Sequence, residues 1–174
     1  PFNSSSAQKV ANFVSSFDEL KKVVTSCELC ALSKGRTNVV FGEGDPKASL
    51  MFVGEAPGAS EDEMGRPFVG AAGELLTQMI EKGVEISREE VYITNIIKCR
   101  PPSNNLPKKE ELEKCLPFLH QQISFVQPKL IVLLGEVSFA SLLGETLSIG
   151  AARGRLFSYE GITVLPTFHH SYLL

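Results

Sequence analysis

Apolar residues return along this chain in two rhythms. Val10, Phe13, Val14, Phe17, Leu20 and Val24 recur at helical spacing and predict an amphipathic helix from Ala7 to Ser26. Leu50-Met51-Phe52-Val53, Val91-Tyr92-Ile93-Thr94, Leu130 to Leu134 and Ile162 to Leu165 are instead short, dense runs of strand length. Leu130 to Leu134 is wholly apolar, which predicts a strand buried on both faces. Val39-Val40-Phe41 is a shorter run inside a loop region punctuated by Gly35, Gly42, Gly44 and Pro46. Helical patterns fall between the strands. One runs from about Ala72 to Lys82 and ends near Gly83. Another starts with Pro107 as first helical residue, passes through Leu112, Cys115, Leu119 and Ile123, and is stopped by Pro128. A third spans Glu136 to Leu143. Alternating strands and helices predict an α/β fold, a three-layer α/β/α sandwich with a central, mostly parallel four-stranded sheet.

The polar motifs take their meaning from this frame. Gly54 to Gly70 follows the first strand and holds four glycines, two prolines, four acidic residues, Arg66 and Phe68 before a helical pattern resumes. Such a loop has a prescribed backbone with chemistry mounted on it. Asn95 ends the second strand, and Phe168-His169 follows the last one. In an open parallel sheet the C-terminal strand edge is where ligands bind, so these three motifs are expected in one cleft. No Gly-Lys-Ser/Thr follows the glycine loop, which excludes a P-loop, and its carboxylates would repel a pyrophosphate. Glu55, Glu61, Phe68, Asn95 and His169 suit a neutral planar heterocycle instead. Asn places a donor and an acceptor side by side, Phe offers a stacking face, and His donates to an oxygen gaining charge. Residue logic alone reaches a small-molecule or base pocket.

Composition narrows the setting. At 174 residues the chain is expected to form a single domain, with 43% hydrophobic and 21% charged residues. No apolar run has the length of a membrane span, and Pro1 to Ala7 lack the apolar core of a secretory signal, so a soluble cytoplasmic protein without membrane partners is expected. The chain begins at Pro1 without an initiator methionine, which points to a missing or processed N-terminus. The net charge of −3 argues mildly against non-specific nucleic-acid binding. Local positive charge remains at Lys98, Arg100, Lys108 and Lys109, and again at Arg153 and Arg155.

Four cysteines add a second site. Cys27-Glu28-Leu29-Cys30 is a C-x-x-C knuckle that ends a helix, a poor place for a redox pair and a good one for gripping a metal centre. With Cys99 and Cys115 it makes a four-thiolate set, which serves zinc and an iron–sulfur cluster equally.

Longer motifs carry a family resemblance. Gly54-Glu55-Ala56-Pro57-Gly58, Glu61-Asp62 and Gly65-Arg66-Pro67-Phe68-Val69-Gly70 resemble the first motif of the iron–sulfur (family 4) uracil-DNA glycosylases. Val91 to Pro102 is similar to that family's central strand with its cysteine, and Phe168-His169 to its final motif. The resemblance covers nearly the whole chain from Cys27 onward. It implies a monofunctional glycosylase, acting as a monomer on uracil-containing DNA at the nucleoid, with Cys27, Cys30, Cys99 and Cys115 holding a 4Fe–4S cluster. Gly54, Glu55, Ala56, Pro57, Phe68, Asn95 and His169 would bind the flipped uracil. Asn95 and His169 would also act in catalysis, with Glu61 positioning water or excluding thymine, and Arg153 and Arg155 would contact DNA. Two departures stand out. Family members read His-Pro where this chain reads His169-His170, so a catalytically weak relative that binds uracil or DNA without efficient turnover is the alternative. The family also continues into a further helix, so a C-terminal helix beyond Leu174 is expected.

Overall fold

Caps and breakers set the element boundaries. A computed structural model describes residues 14–144 and 148–168. Ser16 accepts the Glu19 N–H and starts α1 (Phe17–Thr25), whose Leu20 and Val24 are buried. The upstream part of the predicted helix, with Val10 and Phe13, lies outside the described residues. There follow β1 (Glu43–Gly44), β2 (Leu50–Gly54), α2 (Ala59–Met64) and α3 (Ala71–Gln78), which runs on into a π-helical turn at Met79–Val84. After β3 (Tyr92–Asn95) come α4 (Lys109–Val126), β4 (Leu130–Leu134), α5 (Glu136–Leu143), α6 (Ile149–Ala152), β5 (Phe157–Tyr159) and β6 (Ile162–Thr167).

The sheet has six strands in the order β1-β3-β2-β4-β6-β5, rather than the four expected. Its middle four are parallel, as the alternating pattern predicts. The two additions are short antiparallel edges. β1 pairs Glu43 with Ile93 and Gly44 with Tyr92. β5 folds back from β6 through Glu160 and Gly161, both at positive φ, the backbone of a two-residue hairpin turn.

Alternation along the strands splits the core in two. Met51, Val53, Tyr92, Ile131 and Leu133 face Leu119 and Ile123 of α4 and Phe139 of α5. Phe52, Ile93 and Leu134 face Leu76 of α3 and Ile80 of the π turn, together with Phe68. Helices thus cover both faces, giving the three-layer α/β sandwich. α1 lies outside this, joined through Leu20, Val24, Phe41 and Phe118.

Four local readings change. The stretch expected to be loop from Gly54 to Gly70 contains α2, ended by Gly65 in the left-handed region at φ 71°. The helix predicted to end near Gly83 gives way to the π turn after Gln78. Pro107 precedes the cap rather than opening α4, because the Glu111 carboxylate accepts the Lys108 N–H at 2.8 Å and the helix begins at Lys109. In β4, Leu130 and Val132 are half-buried, so only part of the run is covered on both faces.

Register brings the strand ends level. Gly54 pairs with Asn95, Leu134 with Thr167, and the Gly135 N–H donates to the Thr167 carbonyl at 3.0 Å. The polar motifs therefore emerge along one edge of the sheet.

Candidate active site and cysteine cavity

At that edge lies a cavity of about 230 Å³, lined by Ala56, Glu61, Phe68, Gly70, Ala71, Ala72, Gly73 and Asn95. β2 delivers Ala56, β3 delivers Asn95, and the rest come from the α2–α3 segment. Asn95 is only 2% exposed, and its Oδ1 has no hydrogen-bond partner among the described residues. A buried amide oxygen without a donor costs about 1–3 kcal/mol, which a ligand N–H at that point offsets.

Phe68 forms the neighbouring wall, buried to 7% exposure and held at φ 51°. That backbone is costly for an aromatic residue, roughly 1–3 kcal/mol, and persists because its surroundings fix it. Two glycines provide the space. A Cβ on Gly54 would lie 2.3 Å from Phe68 Cζ and 2.5 Å from Asn95 Oδ1. A Cβ on Gly73 would lie 2.0 Å from the Phe68 carbonyl. Both positions must be glycine for the ring and the amide to share one pocket.

Glu61 fastens the loop on the other side. Its Oε1 accepts the Gly58 N–H at 3.0 Å, and its Oε2 accepts those of Val69 and Gly70 at 3.0 and 2.9 Å. The neighbouring Asp62, buried, accepts the N–H groups of Thr37 and Asn38 and ties α2 to the segment after the cysteine knuckle.

Other predicted residues take different places. The Glu55 carboxylate turns to the start of α5, accepting the Val137 N–H at 3.3 Å, close against Gly135. Burial pushes its carboxyl up from the ordinary range, Val137 acts in the opposite sense, and Glu136 adds to the rise. Pro57 is buried beside the cavity segment without lining it. Arg153 and Arg155 are exposed; the first guanidinium stands 5.1 Å from the Phe168 ring centre and the second 5.6 Å from that of Phe157. His169 and His170 lie outside the described residues.

Residues 70–73 were missed as a pocket wall. The run Gly70-Ala71-Ala72-Gly73 was the available signal, since small side chains at a helix start permit close approach. Arg88 was missed too. Its Nη1 donates to the Phe68 carbonyl and its Nη2 to the Pro67 carbonyl, and nothing in Ser87-Arg88-Glu89-Glu90 announces that.

The four cysteines converge from three parts of the chain. Cys27, Cys30, Cys99 and Cys115 line a second cavity with Arg36, Lys98 and Lys114. None is paired in a disulfide. Arg36 Nη1 donates to the Cys27 carbonyl at 2.5 Å and to Cys99 Sγ at 3.4 Å, and the Lys98 N–H donates to Cys115 Sγ at 3.4 Å. Burial raises the thiols of Cys27 and Cys99, and pushes that of Cys115 up to about 12. Among the described residues no group of three or more metal-ligating side chains is drawn together in coordinating geometry. The donor set nonetheless fits a thiolate-bound centre: four sulfurs on one cavity, N–H donors on two of them, and cations beside them.

Lys98 joins the two cavities. It lines the cysteine cavity, while its buried Nζ donates to the Asn95 carbonyl at 2.5 Å and to Thr94 Oγ1 and Gln122 Oε1, both at 2.6 Å.

Comparison with known proteins identifies relatives of the chain. The family model of the uracil DNA glycosylase superfamily matches residues 41–174. The chain is similar to the type-4 uracil-DNA glycosylase of Sulfurisphaera tokodaii, 49% identical over 162 residues, covering 88% of this chain and 74% of that one. It is 45% identical to the type-4 enzyme of Thermotoga maritima, covering 90% of this chain and 84% of the relative. With the type-4 enzyme of Archaeoglobus fulgidus it shares 41% identity, over 91% of this chain and 83% of the relative.

Proposed function

We propose the following chemistry from the premise that the chain belongs to the uracil DNA glycosylase superfamily, with type-4 uracil-DNA glycosylases among its relatives. The protein is a hydrolytic glycosylase that excises uracil from DNA, leaving an abasic site for base-excision repair.

A base within a duplex is out of reach, so deoxyuridine must be flipped into a pocket. The Phe68–Asn95 cavity supplies the matching surfaces. Phe68 stacks on the ring. Asn95 Oδ1 accepts uracil N3–H while its amide N–H donates to O4, pairing with the imide edge. The buried Oδ1 beside Phe68, without a partner among the described residues, is the observation that carries this assignment.

Cleavage of C1′–N1 sends the bonding electrons to the base, giving a uracil anion and an oxocarbenium-like sugar. Backbone N–H groups around Glu55 and Ala56, at the end of β2, are assigned to a uracil oxygen. We assign to His169, from its place in the sequence after β6 and Phe168, the donor that faces O2 as negative charge develops there. Water then forms the C1′–O bond, and its surplus proton ends on the uracil anion, which leaves as neutral uracil. Ala56 brings no carboxylate to that water, and Glu61 is the carboxylate at the cavity. With Oε2 accepting two N–H groups and Oε1 one, we give Glu61 two tasks: clamping the loop, and holding the water through Oε1.

Cys27, Cys30, Cys99 and Cys115 are proposed to hold a 4Fe–4S cluster, and through them the segment after α1, the approach to α4 and α4 itself would be tied together. Arg153 and Arg155, both exposed, are assigned to DNA phosphates. Among the described residues no helix is long and apolar enough to cross a membrane. We place the enzyme in the cytoplasm, acting as a monomer and meeting its substrate at the nucleoid.

Excision from a labelled oligonucleotide carrying one uracil tests the reading, with a thymine strand as control and alkali to reveal abasic sites. A nick at uracil alone, dependent on alkali, is expected. Retained binding without a nick would instead favour the weak relative suggested by His170 in place of proline.

A further inference from the structure

Phe68 is held in its left-handed backbone by a residue twenty positions away. Arg88 Nη1 donates to the Phe68 carbonyl at 2.9 Å, and its Nη2 to the Pro67 carbonyl at 2.6 Å. The same guanidinium is fixed from behind. Nη1 also donates to Thr77 Oγ1 on α3 at 2.6 Å, and Nη2 meets Glu43 Oε1 on β1 at 3.2 Å. Its side chain is 14% exposed. Nε is buried and without a partner among the described residues, so this donor is given up to keep the other two arms in place.

Two donor arms on consecutive carbonyls fix two consecutive peptide planes, and with them the φ and ψ of the residue between. A planar guanidinium does this; an ammonium, being a point charge, does not. The Phe68 backbone also abuts Gly73 of α3. Glu61 holds the next two N–H groups, those of Val69 and Gly70. Carbonyls 67 and 68 are thus clamped by Arg88, and amides 69 and 70 by Glu61.

We infer that Arg88 is a positioning residue for the stacking platform: it sets the plane that the Phe68 ring presents to the base, without touching the base itself. This rests on the assignment of Phe68 as the uracil platform.

Arg88→Lys keeps the charge opposite Glu43 but loses the fork. The test reads five quantities for wild type, Arg88→Lys and Phe68→Ala: Tm, bound iron, affinity for DNA carrying an abasic site, inhibition by free uracil, and single-turnover excision at saturating DNA. For Arg88→Lys we expect excision to fall about tenfold and the uracil inhibition constant to rise by a similar factor, as for a misplaced binding surface. Tm, iron and abasic-DNA affinity should stay at wild-type values, which a merely structural role would not give. An unchanged uracil inhibition constant overturns the inference, as does a loss of excision that only tracks lost folded protein. The two levels of failure are separable. If Phe68→Ala also binds uracil normally, the platform assignment falls; if only Arg88→Lys does, the inference falls alone. Should Arg88→Lys not fold, Thr77→Val removes one acceptor from the same guanidinium, together with the hydroxyl's bond to the Gly73 carbonyl at 3.1 Å, and leaves residues 67–70 unsubstituted. It is expected to weaken uracil inhibition about two- to threefold at unchanged Tm, and an unchanged constant again overturns the inference.

Discussion

Replacing Asn95 by alanine separates a binding role from a structural one. Among the described residues the Asn95 amide oxygen is buried without a donor, a position that costs about 1–3 kcal/mol. Alanine removes that cost along with some packing, so Tm should change little and bound iron not at all. Against uracil the balance reverses, because the imide N–H and O4 each lose a partner. At about 1 kcal/mol or more per hydrogen bond the transition state should lose about 2 kcal/mol, a fall of roughly thirtyfold in single-turnover excision. The assay is burst-free excision of a labelled uracil oligonucleotide with enzyme in excess, with Tm and iron measured on the same preparation. Excision within threefold of wild type would remove Asn95 from the pocket. A loss matched by lost iron and a lower Tm would make Asn95 a structural residue.

Cys99→Ala should lose bound iron and stability together, since one of four thiolates goes; a variant that keeps its full iron, measured by metal analysis, would contradict the cysteine-cavity assignment. For Glu55, burial raises the carboxyl above its unfolded value, so the folded chain holds the proton more tightly. That contribution is complete below the unfolded value and is lost as pH rises through the folded one. Glu55→Gln should therefore gain Tm relative to wild type as pH rises above the ordinary carboxylate range, and a pH-independent difference would refute it. Glu61→Gln should slow uracil excision about 10- to 100-fold while leaving thymine untouched, as expected for a general base; release of thymine in the same oligonucleotide assay would assign Glu61 to excluding the 5-methyl group instead.

The parts of the fold that could be read from the sequence are those whose own residues determine them. β4 is an apolar run between Pro128 and Gly135, and it falls on Leu130–Leu134 as expected. β1 and β5 carry no such pattern. Two and three residues long, they exist because β3 and β6 offer free edges, and the turn at Glu160-Gly161 lacks the usual Asn or Asp. α2 was hidden for a related reason. Its one buried residue is Asp62, so it has no apolar stripe to detect. In the site, the meeting of Gly54 with Asn95 could be foreseen because parallel strands end level. That Glu55 would turn toward Val137, and that Arg88 would reach Pro67 and Phe68, depends on packing between elements far apart in sequence.

A crystal of the protein soaked in uracil tests the central claim most directly. Uracil should stack on Phe68, with the Asn95 side-chain amide within hydrogen-bond distance of N3 and O4. Uracil bound elsewhere, or in the cavity with its imide edge turned away from Asn95, would contradict it.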